Sequence, residues 1–104
     1  MTDVRSEAIQ WCHDGSGFIY FVQAGNDGPI KIGITENVRR RLKSLQSSSP
    51  DPLRLLFSFN GSEVIESALH QKFSSCRMHG EWFQPTTELV SFISTLSAEL
   101  TSNP

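Results

Sequence analysis

The chain has 104 residues, 38% apolar and 19% charged, with seven Phe and two Trp. That size and mixture describe one small globular domain with a single core and little reserve, and they exclude a disordered chain. A net charge of −2 argues against a protein that coats nucleic acid along its whole surface.

Residues 1–16 are polar apart from Val4, Ile9 and Trp11, and a short helix over 3–11 is expected. Asp14-Gly15-Ser16-Gly17 reads as a turn. Phe18 to Gln23 reads as a strand with apolar residues on both alternating faces, which places it centrally in a sheet covered on both sides. Gly25-Asn26-Asp27-Gly28-Pro29 has the composition of a hairpin turn. The return strand, Ile30 to Thr35, sets Ile30, Ile32 and Ile34 on one face and Lys31, Gly33 and Thr35 on the other. Asn37 is a good N-cap for a helix whose Val38, Leu42 and Leu45 form an inward stripe. Ser47 to Pro52 ends that helix. A third strand, Leu53 to Phe59, is expected to carry Leu53, Leu55, Phe57 and Phe59 on one face. Ser62 opens a second helix running to about Ser74, with Ile65, Leu69 and Phe73 inward. Gly80 to Pro85 reads as a short extended segment and Glu88 to Leu100 as a last helix.

The order β-β-α-β-α-α predicts an α+β fold: a small three-stranded antiparallel sheet flanked by helices, as a single domain over 1–104 with its core in 17–93. No apolar run is long enough to span a membrane and no apolar leader is present, so the cytoplasm is the expected location. Cys12 and Cys76 are too few for a secreted disulfide framework.

The charges are unevenly spread. Residues 31–43 hold Lys31, Arg39, Arg40, Arg41 and Lys43 against Glu36 alone, a local +4 that leaves −6 on the rest of the chain. One basic patch on an acidic body suits a local phosphate site. Helical geometry puts Arg41 at the edge of the Val38–Leu42–Leu45 stripe and Arg40 opposite it, in solvent. An arginine at that edge can reach back over the sheet and hold a phosphate oxygen with its fork. On the second helix Glu66 lies beside the inward stripe and Glu63 lies farther out. Glu66 is therefore the candidate ligand for Mg²⁺ or Mn²⁺, both of which prefer oxygen donors. His70, one turn on, is placed to meet Glu66, a substrate or a water. Tyr20 sits mid-strand, where its hydroxyl needs a partner. Lys31 shares its face in a tight hairpin and could lower its pKa. Gly33 suits a place where backbone comes close to another group. Taken singly, each feature has a plain structural reading: a solvated basic face, an i,i+4 surface pair, a core tyrosine.

Together these residues resemble the GIY-YIG nuclease superfamily, in the phage and bacterial branch whose second motif reads KIG. The resemblance rests on Phe18-Ile19-Tyr20, Lys31-Ile32-Gly33, Arg41 eight residues after Gly33, Glu66 with His70, and Gly80-Glu81-Trp82-Phe83. It covers residues 17 to 93. Lys31 stands where the second motif usually has tyrosine, and Phe18 where the first has glycine. The resemblance implies a metal-dependent endonuclease cutting DNA. Tyr20 would be proton acceptor or relay with Lys31 beside it, Arg41 would hold the phosphate, and Glu66 would carry Mg²⁺ or Mn²⁺. Arg39, Arg40 and Lys43 would steer phosphate, and Trp82 and Phe83 would close the core. The alternative is a domain of the same fold that binds nucleic acid or protein without cutting. A protein partner supplying specificity is also expected, since specific DNA interfaces usually bury about 1,000 Å² or more. A rival, lesser expectation is structural zinc on Cys12, His13, Cys76 and His79, where adjacent Cys12 and His13 are an awkward chelating pair.

Overall fold

A computed structural model describes residues 17–101. The helix expected over 3–11, and Cys12 and His13, lie outside them.

Strand β1 (Gly17–Ala24) and strand β2 (Ile30–Thr35) form an antiparallel hairpin in which Tyr20 faces Gly33 and Val22 faces Lys31. Strand β3 (Leu53–Gly61) pairs antiparallel with the other side of β1. The central strand is covered on both faces, as its composition predicts: Ile19, Phe21, Tyr20 and Val22 are all buried.

The sheet has five strands, in the order β3-β1-β2-β5-β4, where three were expected. The addition comes from β4 (Arg77–His79) and β5 (Trp82–Phe83), with β5 paired to β2 through Ile30–Phe83 and Lys31–Trp82. The chain reverses between them at Gly80, whose φ of +58° suits glycine. Strands of two and three residues are too short to show an alternating pattern, so in sequence β5 reads only as part of the extended segment Gly80 to Pro85, and β4 has no signal.

A second correction concerns β3. Phe57 pairs with Phe21, but Leu55 pairs with Val22, so Leu56 is an extra residue in the ladder. This bulge turns Leu55 to the opposite face from Phe57 and Phe59. There it is 38% exposed.

Helix α1 (Val38–Ser47) starts at Asn37, whose side chain accepts from the Arg40 amide at 3.0 Å. It lies on the Tyr20 face. Its stripe of Val38, Leu42 and Leu45 is only half-buried, and no residue of α1 is fully buried. Helix α2 (Glu63–Lys72), a 3₁₀ turn (Ser74–Cys76) and helix α3 (Thr87–Thr101) cover the other face. The main core lies there, with Ile19, Phe21, Ile32, Leu69, Phe73, Phe83, Leu89 and Leu96 fully enclosed. Each side chain of that size contributes about 1.5–3 kcal/mol by leaving water. Among the described residues no helix is long and apolar enough to cross a membrane.

Candidate functional site

The site is built around the backbone of β2 at Ile32 and Gly33. On one face the hydroxyl end of the Tyr20 ring lies over Gly33. A Cβ at position 33 would sit 2.5 Å from Tyr20 Cζ and 2.9 Å from Cε2, and nearer still to the hydroxyl. Only glycine permits that approach. Arg41 comes over from α1 and donates from Nε to Tyr20 Oη at 3.3 Å. The helix start sets this reach, because the Arg41 amide closes the first turn on the Asn37 carbonyl.

Burial pushes the Tyr20 phenol above its usual pKa, and the Arg41 hydrogen bond and charge pull it partly back. Glu81 and Glu66 add smaller upward pushes. The phenol therefore keeps its proton at neutral pH.

Lys31 lies on the Tyr20 face, as the register requires, but its ammonium is drawn elsewhere. Lys31 Nζ is 3.1 Å from a carboxylate oxygen of Glu81 and 5.5 Å from the centre of the Trp82 ring. The cation beside the phenol is Arg41.

The outer edge of β2 explains the rest. β5 runs only from Trp82 to Phe83, so beyond Lys31 the strand must find other backbone partners. The Ile32 amide donates to the Glu81 carbonyl at 3.0 Å. The Ile32 carbonyl lies 2.8 Å from His70 Nε2. A carbonyl only accepts, so Nε2 carries the hydrogen, and in the neutral ring Nδ1 keeps a lone pair. Edge pairing thus pins one acidic residue and one histidine against the same strand. His70 is also 5.4 Å from the Phe83 ring, which packs its flank.

Glu66 completes the group. Ile65 and Leu69 fix the helix on the core, which leaves Glu66 half-buried at the rim and Glu63 exposed. Glu66, His70 and Glu81 each offer a ligand atom within 4.8 Å of the others, the one such trio among the described residues. Burial raises the Glu66 pKa first, and the Glu81 charge raises it further, while His70 and Lys31 oppose the rise. Two carboxylates and an imidazole so placed can hold an oxygen-preferring divalent ion.

The structure therefore gathers Tyr20, Lys31, Gly33, Arg41, Glu66 and His70 at one place. Arg39, Arg40 and Lys43 are exposed along α1 and stay outside it. Glu81 was missed in sequence, where the Gly80-Glu81-Trp82-Phe83 segment reads as core closure. The available signal was an acid held between a turn glycine and two aromatic residues. Of the residues considered for zinc, Cys76 is buried with its thiol on the Phe73 carbonyl, His79 is exposed, and neither belongs to the trio.

A phenol, an ammonium, a guanidinium, two carboxylates and an imidazole thus stand around one strand. The chain belongs to the T5orf172 domain family, which it matches over residues 17–97. That domain is phage-associated and stands in the context of GIY-YIG and HNH-like endonucleases, which suggests a nuclease-like or DNA-binding role. No curated protein and no solved structure matches the chain.

Proposed function

We propose that this domain is a metal-dependent endonuclease of the GIY-YIG type, hydrolysing phosphodiester bonds in DNA. The observation that carries the proposal is the convergence of Tyr20, Arg41, Glu66, His70 and Glu81 on Gly33 and its neighbour Ile32. A half-buried carboxylate whose pKa is raised by burial and by the charge of a second carboxylate is relieved by a divalent cation, so Glu66 with Glu81 beside it fits Mg²⁺ or Mn²⁺.

Arg41 spends Nε on Tyr20, which leaves the two terminal nitrogens of its fork to clamp a phosphate oxygen and offset the growing charge. Tyr20 Oη accepts from Arg41 and keeps its own hydrogen. It thus serves as a relay, taking a proton from the attacking water while passing its own on to the phosphate or solvent. The new bond joins the water oxygen to phosphorus, the bond to the leaving sugar oxygen breaks, and that oxygen takes up a proton. His70 holds its ring by Nε2–H on the Ile32 carbonyl, which leaves Nδ1 with its lone pair. Glu66, with His70 and Glu81 nearby, would hold the divalent ion. When bound, the ion supplies polarisation of the scissile phosphate and neutralises charge on the leaving oxygen.

The test is a plasmid-nicking assay with Mn²⁺, comparing the parent with Glu66→Ala and Arg41→Ala. Loss of nicking in both variants is the expected result. Nicking that persists in both means the site is wrongly assigned.

One observation favours a second reading. Lys31 and Glu81 already satisfy one another in an ion pair. In a domain that binds DNA or protein without cutting, that pair would be purely structural. Salt-dependent DNA binding with no nicking in Mg²⁺ or Mn²⁺ identifies this case, because counterion release needs no metal.

A further inference from the structure

We propose that Glu81 is a second carboxylate ligand of the divalent ion and that Lys31 is its exchangeable counter-ion, released when the ion enters. This rests on the reading that Glu66 holds a divalent ion.

Three observations support it. First, Glu81 is positioned by its backbone. Gly80 turns the chain with φ +58°, and the Glu81 carbonyl is bonded to the Ile32 amide at 3.0 Å. The side chain is therefore delivered to the Glu66–His70 group by the sheet. Second, Lys31 is a buried residue, 8% exposed, and its ammonium lies 3.1 Å from the Glu81 carboxylate. A buried lysine needs such a partner, and here the partner is a member of the only metal-competent trio among the described residues. Third, the local charges balance only partly. One ammonium faces the two carboxylates of Glu66 and Glu81, whereas a compact double charge would over-compensate them with Lys31 still in place. Entry of the ion then sets two cations against one another on one carboxylate, and the flexible one leaves. Lys31 has somewhere to go. It stands on the face of Tyr20, where a bound phosphate would sit, two positions from Gly33. The same exchange that seats the ion would hand a cation to the substrate.

The pair would also act as a stand-in that keeps the carboxylates apart from each other before the ion arrives. By reciprocity, a change at Lys31 that weakens the pair while leaving the Glu81 carboxylate in place strengthens metal binding through Glu81.

The experiment measures metal alone. Mn²⁺ affinity is read by electron paramagnetic resonance for the parent, Lys31→Met, Glu81→Gln and Glu66→Gln. In parallel, reductive methylation of Lys31 is followed by mass spectrometry with and without Mg²⁺. Lys31→Met should bind Mn²⁺ roughly fivefold or more tightly. Glu81→Gln should bind about tenfold more weakly or worse. Mg²⁺ should speed methylation of Lys31 in the parent and leave it unchanged in Glu66→Gln. Removing a positive charge could tighten binding without any exchange, so the methylation rate decides. If the parent binds Mn²⁺ through Glu66 but Mg²⁺ leaves the Lys31 rate unmoved, or Glu81→Gln binds normally, the exchange is overturned and the Glu66 metal reading stands. If no protein in the set binds Mn²⁺, or Glu66→Gln binds like the parent, the metal reading falls and the exchange with it.

Discussion

Gly33→Ala is the most demanding test of how the site is packed. The added methyl would meet Tyr20 Cζ at 2.5 Å and Cε2 at 2.9 Å, well inside contact distance for carbon. Two ring carbons and the hydroxyl are involved, so a small rotation of the side chain cannot clear them all. Tyr20 is 2% exposed and is wedged between the sheet and α1, with its hydroxyl tied to Arg41. The strand itself cannot yield easily, because Gly33 pairs directly with Tyr20 in the ladder. Overpacking of this kind costs about 1–3 kcal/mol. For a domain of this size that is a fall in Tm of roughly 4–8 °C for each kcal/mol. The clash also moves the phenol away from Arg41, so nicking should fall by more than the loss of folded protein explains. Thermal unfolding and plasmid nicking are measured for Gly33→Ala, Tyr20→Leu and the double variant. Leucine removes the ring, so the two changes should be strongly non-additive, with alanine costing little once Tyr20 is gone. A Gly33→Ala protein with an unchanged Tm, or additive effects in the cycle, would refute the claim that the ring lies over this glycine.

Other outcomes follow from the same geometry. Tyr20→Phe keeps the packing but loses the Arg41 bond, so Tm should hold within a few degrees while nicking drops about 10²-fold or more, read by single-turnover cleavage. Arg39→Ala and Arg40→Ala, on the exposed flank of α1, should each lower the slope of DNA affinity against salt by about one while leaving the cleavage rate at saturation nearly intact. Glu66 has a raised pKa in the folded chain, so the native state binds more protons than the unfolded state just above the ordinary carboxylate range. Metal-free stability should therefore fall as pH rises from about the usual carboxylate pKa through the raised one, by a few degrees in Tm at most once solvent screening is allowed for. Glu66→Gln in chelator should abolish that fall, and a parent whose Tm is flat across the window would contradict it. Asn37→Ala should cost about 1 kcal/mol, read by chemical denaturation, because its side chain caps the one described α-helix that has no fully buried residue.

Much of this arrangement was legible in the sequence because the relevant spacings are short. The hairpin turn fixes the register that sets Tyr20 against Gly33. Asn37 fixes where α1 starts, and with it which arginine reaches the sheet. The apolar residues Ile65 and Leu69 fix which of Glu63 and Glu66 turns inward. What escaped depends on contacts that no local pattern encodes. β5 is held by pairing to β2 and β4 by pairing to β5, not by their own periodicity. The extra Leu56 changes the faces of β3 without changing its composition. Lys31 was rightly placed on the Tyr20 face, but its partner comes from a hairpin some fifty residues on, which β5 brings alongside. Glu81 is in the site for the same reason.

The shallow seating of α1 has a consequence for how the domain behaves before it meets a substrate. Val38, Leu42 and Leu45 are only half-covered, and among the described residues two side-chain bonds join the helix to the sheet: Arg41 donates to Tyr20, and Gln46 Oε1 accepts from the Leu53 amide at the very start of β3. Such a segment opens at a small fraction of the free energy needed to unfold the central strands. Amide hydrogens of α1 should exchange with solvent well ahead of those of β1, and addition of DNA should slow α1 selectively. The guanidinium proposed to grip the phosphate thus rides on the one described α-helix with no fully buried residue. Part of the intrinsic binding energy is then spent on holding that helix down, and the grip is complete only on a bound strand.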